Sequence, residues 1–278
     1  MKHYIHSRIA APNDPVPVVL VGLGGTGSQI LSGLARIHMS LRALGHMGFD
    51  VHAVDGDAVS DANVGRQLFS PADVGRNKAE CLVTRMNMFF GLDWKAYPVM
   101  ATKSLELRDV RGNMPHTLIT AVDSAAARKK IAKLKPAARY VRPQFIYWLD
   151  TGNTKDTGQV VLGTLTKEGV DQPTKGVTAR TLPTVLDLYP DMARQDRKAV
   201  QGPSCSVAES LERQDLLINQ WVATAACQIL WRGLRRGYIT EHGAFINLDT
   251  LTTRPLKVDP EAWARMGYNI PKEKGSKS

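Results

Sequence analysis

Apolar positions along this chain follow two rhythms. Val16 to Val21 is an almost unbroken apolar run that leads straight into Gly22-Leu23-Gly24-Gly25-Thr26-Gly27-Ser28, and a helical spacing then holds to about Leu44 before Gly45 and Gly48 break it. A run of this length predicts a strand buried on both faces, as parallel sheets require. The unit recurs. Val51 to Val54 is a short apolar run ending on Asp55, and a long polar loop follows from Gly56 to Gly75. Asn77 to Phe90 spaces Ala79, Leu82, Val83, Met86 and Phe89 or Phe90 on one helical face. A strand is expected near 95–100, then another from Thr117 to Val122 ending on Asp123, then a helix from Ala125 to Lys135 stopped by Pro136. Strands alternating with helices in this order predict an α/β protein with a Rossmann-like, doubly wound, mostly parallel sheet.

The second half has a different pattern. Phe145–Leu149 and Gln159–Leu165 read as strands close enough in sequence to pair antiparallel, and 244–258 reads as a final strand pair, giving an antiparallel C-terminal part. Between them, 167–204 holds four prolines without periodicity and is expected to be an extended crossing segment. A helix is expected from Val207 to Leu234, with Ser206 and Glu209 as its capping box. These elements predict an irregular arm over 1–15, a single domain over 16–266 and a disordered basic tail over 267–278.

Composition narrows the function classes. The longest apolar stretch, Trp221 to Trp231, falls short of the ~18 residues a membrane span needs, and the first residues lack a signal-peptide core, so a cytoplasmic protein is expected. Cys81, Cys205 and Cys227 include no C-x-x-C pair, which argues against a disulfide scaffold and against zinc. A net charge of +10 favours an anionic partner such as a nucleotide, a nucleic acid or an acidic protein. No helix-turn-helix, zinc-finger or RNA-binding aromatic signature accompanies the charge, so nucleic-acid binding is unsupported.

Gly22, Gly24 and Gly27 fit G-x-G-x-x-G between a strand and a helix. That spacing brings backbone close to a phosphate and points helix N–H groups at it. Asp55 and Asp123 fall at carboxyl ends of expected strands, where ligands of open parallel sheets sit. Either acid alone reads equally well as a helix cap.

The ordered set Gly22–Ser28, Val54-Asp55-Gly56-Asp57, Asn63-Val64-Gly65-Arg66-Gln67 and Asp73-Val74-Gly75-Arg76-Asn77-Lys78 resembles the ThiF/MoeB/ubiquitin-activating superfamily. Asp123 with Arg128 resembles its acid-then-arginine pair, and Gly158-Gln159-Val160 its later turn. From Leu182-Pro183-Thr184 through Pro203–Ser206 to Gln214-Asp215 the chain looks most like the ThiF members of plasmid-associated PRTRC cassettes. The resemblance implies ATP- and Mg²⁺-dependent adenylation of the C-terminal carboxylate of a small ubiquitin-like protein. It implies a homodimer, and conjugating-enzyme-like and metalloprotease-like companions. In the roles it implies, Gly22, Gly24, Gly25 and Gly27 approach the nucleotide and Asp55 takes the ribose, with Asp57 nearby. Arg66 and Lys78 gather on the triphosphate, Asn63 and Gln67 support them, and Asp123 holds Mg²⁺. It also implies a thioester role for Cys205, which the expected capping box places beside a helix N-terminus, where a thiol is acidified. A structural thiol is the other reading of that residue.

The chain departs from its relatives in lacking their two C-x-x-C pairs, and Arg8 is the nearest candidate for their N-terminal arginine. Two other readings stay open. A dinucleotide-dependent oxidoreductase would share the glycine turn, but an acid about 20 residues on is expected and Asp55 lies 28 after Gly27. A non-catalytic scaffold or DNA-associated module on the same fold is the third.

Overall fold

The computed structural model describes residues 1–101, 116–131, 145–166, 170–173, 177–191, 212 and 214–269. Eight strands form one sheet, in the spatial order Thr252–Lys257 (β10), Glu241–Asn247 (β9), Thr157–Thr164 (β7), Tyr147–Asn153 (β6), Thr117–Thr120 (β5), Val16–Val21 (β2), Phe49–Val54 (β3) and Lys95–Tyr97 (β4). The five strands from β6 to β4 run parallel, while β6–β7, β7–β9 and β9–β10 pair antiparallel. This is the Rossmann-like, mostly parallel sheet with an antiparallel C-terminal part that the apolar runs predict. All six residues of β2 are buried because it is flanked by β3 and β5 and covered by helices. Chain order reverses across β2, with β3 on one side and β5 on the other, so the crevice beyond their carboxyl ends is a topological switch point.

Helix Gly25–Ala43 (α2) follows β2 and packs along the later helix Ile218–Arg236 (α6), where Gly33 leaves room for the Cys227 side chain. Lys78–Phe90 (α3) and Ala125–Ile131 (α4) complete the crossovers, and short helices lie at Val185–Leu188 (α5) and Pro260–Arg265 (α7). Three expectations change. The first residues are more ordered than an irregular arm. His3–Tyr4 (β1) pairs antiparallel with Tyr238–Ile239 (β8), and Ser7–Ala10 forms a short helix (α1). His3 anchors this arm from a fully buried position, bonding the Ala179 carbonyl at 2.7 Å and the Tyr147 hydroxyl at 2.8 Å, and such long-range contacts leave no periodicity to read. The expected strand at 95–100 stops at Tyr97, because Pro98 has no N–H to give the ladder. The expected helix from Val207 is not continuous, since residues 214–217 are non-helical. Asp215 spends its N–H on the Lys155 carbonyl and its carboxylate on the Leu217 N–H, which diverts the backbone before Ile218. Ser206, Glu209 and Cys205 lie outside the described residues, as does the tail beyond residue 269.

Arg128, the arginine of the acid-then-arginine pair, points into the sheet. Its Nε lies 3.0 Å from both Asp150 oxygens and its Nη2 donates to the Thr151 carbonyl at 2.8 Å, in space that Gly152 keeps open. Asp150 is fully buried and also accepts from the Thr120 hydroxyl at 2.6 Å. Burial pushes its carboxyl up to about 6 against the pull of Arg128. Removing one partner strands the other charge in the interior, so Asp150→Ala should destabilise by about 3–5 kcal/mol in urea unfolding, with Asp150→Leu combined with Arg128→Met recovering most of it.

Acid should loosen the molecule. Burial holds His3, His116 and His242 down to about 4, whereas unfolded histidine titrates near 6.5. Between those values the unfolded chain binds protons that the native state refuses, so stability falls as pH drops through this window. Asp150 works in the opposite direction, because its native carboxyl takes a proton at about 6, before an unfolded one does. His6 and His38, also lowered by burial, add to these three, and Asp55 and Asp249, both raised, join Asp150; five histidines oppose three carboxyls, and Tm should decline from pH 6.5 to 4. A flat Tm across that window would contradict the assignment of neutral buried histidines.

Candidate functional site

The switch-point crevice begins at the turn after β2. Gly22 adopts φ +88°, and a Cβ there would lie 2.5 Å from the Ala121 carbonyl oxygen. A Cβ on Gly27 would collide with the Gly22 carbonyl, so the first turn of α2 folds back directly on the strand end. Gly25 is crowded by the Asn219 side-chain amide, at 2.5–2.6 Å from a hypothetical Cβ. Gly24 is different: a Cβ there would meet only Gln67 Oε1, at 3.9 Å. Protein packing accounts for three of the four glycines, and Gly24 leaves open space at the N-cap of α2. No side chain caps that terminus, so N–H groups of the first turn and the positive end of the helix face the space.

Asp55 follows β3 and holds this loop. One carboxylate oxygen accepts the Leu23 N–H at 2.6 Å and the other the Asp57 N–H at 2.9 Å. Burial raises its pKa, opposed by those two hydrogen bonds and by the charge of Lys78. A carboxylate has about four acceptor sites, so two bonds leave capacity for further donors. Asn77 caps α3 by accepting from the Ala79 and Glu80 N–H groups, and its amide donates to the Asp55 and Asp57 carbonyls at 2.9 and 3.1 Å. The start of α3 is thereby tied to the end of β3. Lys78, the first residue of α3, is buried and its Nζ lies 3.2 Å from the exposed Asp57 carboxylate.

The loop from 56 to 76 carries local structure. Single 3₁₀ turns at Asp61–Asn63 and Pro71–Asp73 are fixed by reciprocal caps from Ser60 with Asn63 and from Ser70 with Asp73. Asn63 Oδ1 accepts from the Ser60 N–H and hydroxyl, so its oxygen shapes the loop, and its backbone carbonyl accepts the Gln67 N–H. These turns deliver Arg66 and Gln67 to the crevice. Gln67 is buried beside Gly24, and its Oε1 has no hydrogen-bond partner. Arg66 donates from Nη1 to Gln214 Oε1, while its buried Nε has no partner. Burial lowers the Arg66 pKa and the nearby Asp123 carboxylate raises it. Asp123 is exposed two residues beyond Ala121, the residue packed on Gly22.

The structure therefore brings Asp55, Asp57, Lys78, Arg66, Gln67 and Asp123 to the same end of the sheet as the glycine turn. Asn63 stands behind them, and Cys205 lies outside the described residues. Sequence reasoning gives no site role to Asn77, Gln214, Asn219 or Asn153, although Asn77 and Gln214 fall within stretches that carry the resemblance. Only the Asn77 cap ahead of a helical run leaves a sequence signal; the others meet through tertiary contacts. Among the described residues no group of three His, Cys, Asp or Glu side chains could hold a metal ion, and no helix is long and apolar enough to cross a membrane.

A glycine turn at the switch point of a parallel sheet, flanked by two cations and by carboxylates from the ends of β3 and β5, defines an α/β protein with a nucleotide-type site. The sequence profile of the ThiF family matches residues 15–259, and the chain belongs to that family. No curated protein matches it. Among solved structures it resembles E. coli MccB, at 14% identity and a TM-score of 0.54, over 91% of this chain and 65% of that one. It resembles PaaA at 13% identity and a TM-score of 0.54, over 90% and 65%. E. coli MccB with ATP matches at 15% identity and a TM-score of 0.51, over 87% of this chain and 63% of that one. The chain thus spans just under two thirds of the length of these structures, which share its fold.

Proposed function

We propose that this protein adenylates the C-terminal carboxylate of a small ubiquitin-like protein, using ATP and Mg²⁺. The observation that supports this most is the placement of Arg66 and Asp123 over the same glycine turn as Asp55 and Lys78. In the reaction a carboxylate oxygen of the substrate attacks the α-phosphorus. The P–O bond to the bridging oxygen breaks, and pyrophosphate leaves with that electron pair. Charge grows on the bridging and non-bridging oxygens, and fixed cations and helix N–H groups aimed there stabilise it.

The α2 N-terminus and the space at Gly24 receive the phosphates, and the remaining lone pairs of Asp55 accept the ribose hydroxyls. Arg66 and Lys78 bear on the phosphate oxygens. A magnesium ion takes one or two carboxylates and fills its other positions with phosphate oxygens and water, so the exposed Asp123 suits it. When bound, the ion would neutralise phosphate charge. MccB has been crystallised with ATP and with MccA, which supports a nucleotide and a second substrate meeting on this fold. Transfer to the Cys205 thiol, a homodimer and the cassette companions extend the proposal from the sequence resemblance. The oxidoreductase reading leaves Arg66, Lys78 and Asp123 without a role.

ATP–pyrophosphate exchange with a candidate ubiquitin-like partner tests the reading. Exchange should require the partner's free C-terminal carboxylate and disappear when that end is amidated. Exchange that persists with the amidated partner would refute carboxylate adenylation. Loss of a thiol-sensitive adduct in Cys205→Ser separates the second step from the first.

A further inference from the structure

We infer that Gln214 and Asn219 are positioning residues for the nucleotide site, fixing the Arg66 guanidinium against the first turn of α2; this rests on the function proposed above. Asn219, in the first turn of α6, lies directly over Gly25 and is almost fully buried. Its Oδ1 accepts from the Thr26 hydroxyl at 2.9 Å and from Asn153 Nδ2 at 3.3 Å. Its Nδ2 donates to Gln214 Oε1 at 2.9 Å, and that same oxygen accepts from Arg66 Nη1. Two donors meet one oxygen, so the chemistry leaves a single orientation for the Gln214 amide. The donors and acceptors run in sequence from Asn153 through Asn219 to Gln214, and linked bonds of this kind polarise one another.

The geometry matters because Arg66 lies on a loop and not on a helix or strand. A long side chain there spreads over many rotamers unless something fixes it. Within the site only Gln214 holds its guanidinium through a hydrogen bond among the described residues, and Gln214 takes its place from Asn219. Residue 215 is in turn fastened to the β6–β7 hairpin by its N–H bond to the Lys155 carbonyl at 2.8 Å. Arg66, the glycine turn, the hairpin and the start of α6 are thus set by one chain of side-chain amides. Misplacing a phosphate-binding cation by about 1 Å is costly, so the stretch leading into α6 controls the quality of a site to which it is distant in sequence.

A double-mutant cycle on binding of α,β-methylene-ATP with Mg²⁺, measured by calorimetry, tests this without any protein substrate. Gln214→Met removes the acceptor at similar volume and should weaken binding about tenfold in the wild-type background. In an Arg66→Ala background the same change should cost less than about twofold, because its effect passes through Arg66. Equal losses in both backgrounds, no loss, or tighter binding in the wild-type background would each overturn the inference. A wild-type protein that fails to bind the analogue would refute the proposed function instead. Gln214 is partly exposed and precedes the helix, so Gln214→Met should keep its Tm within a few degrees of wild type, separating positioning from folding.

Discussion

Arg66→Ala should lower ATP–pyrophosphate exchange about 10²- to 10³-fold while the protein stays folded. The size follows from losing one preorganised donor aimed at charge that develops in the transition state. The folding side follows from its place on a half-buried loop, where it contributes one hydrogen bond to Gln214 and an attraction to Asp123. About tenfold of the loss should appear in nucleotide binding, as for Gln214→Met, and the larger part in kcat, because charge grows on the phosphate oxygens in the transition state. Arg66→Lys should recover only a part, because a point charge cannot reproduce the fork that reaches Gln214 and the phosphates together. Exchange at the wild-type rate in Arg66→Ala would remove Arg66 from the chemistry and leave its burial unexplained.

Gly27→Ala should be the most damaging change to the fold near the site, and Gly24→Ala its opposite. A methyl on Gly27 collides with the Gly22 carbonyl, and both partners are backbone held by β2 and α2. Neither can yield without opening the turn, so a loss of about 3 kcal/mol or more is expected, read as a large drop in Tm and lost nucleotide binding. A methyl on Gly24 meets only the end of Gln67. Stability should stay near wild type, while binding of α,β-methylene-ATP weakens about tenfold because the methyl occupies the space at the helix N-terminus. Wild-type binding in Gly24→Ala would mean that no ligand approaches the backbone there.

Most of the fold was legible because it rests on short-range periodicity. The apolar run at 16–21, the glycine break behind it and the helical face of 77–90 each report burial along one element. The antiparallel pairing of β6 with β7 was legible for the same reason, from two apolar runs close in sequence around the turn-rich Asp150–Gly158, into which β6 extends to Asn153 and from which β7 starts at Thr157. The N-terminal arm was not, because His3 is held by Tyr147 and Ala179, far away in the chain. The contacts of Arg128 were not legible for a related reason. Arg128 stands five residues after Asp123, but the first turns of α4 direct it to Asp150 on the neighbouring strand.

The sequence by itself determined that this chain has a strand–glycine turn–helix unit, acids at two strand ends and, between them, one cation in a loop and one at the start of a helix, and that it resembles the ThiF family. A residue type at a fixed spacing carries that much, since backbone freedom and strand ends are local properties. Tertiary structure alone decided which glycines are packed against by protein and which one opens onto the crevice. It also decided that Arg128 braces the sheet, and that Arg66 is held by an amide from the approach to α6. Those outcomes depend on which distant segments share a few ångströms of space, and side-chain contacts of that range leave no periodic trace in the sequence.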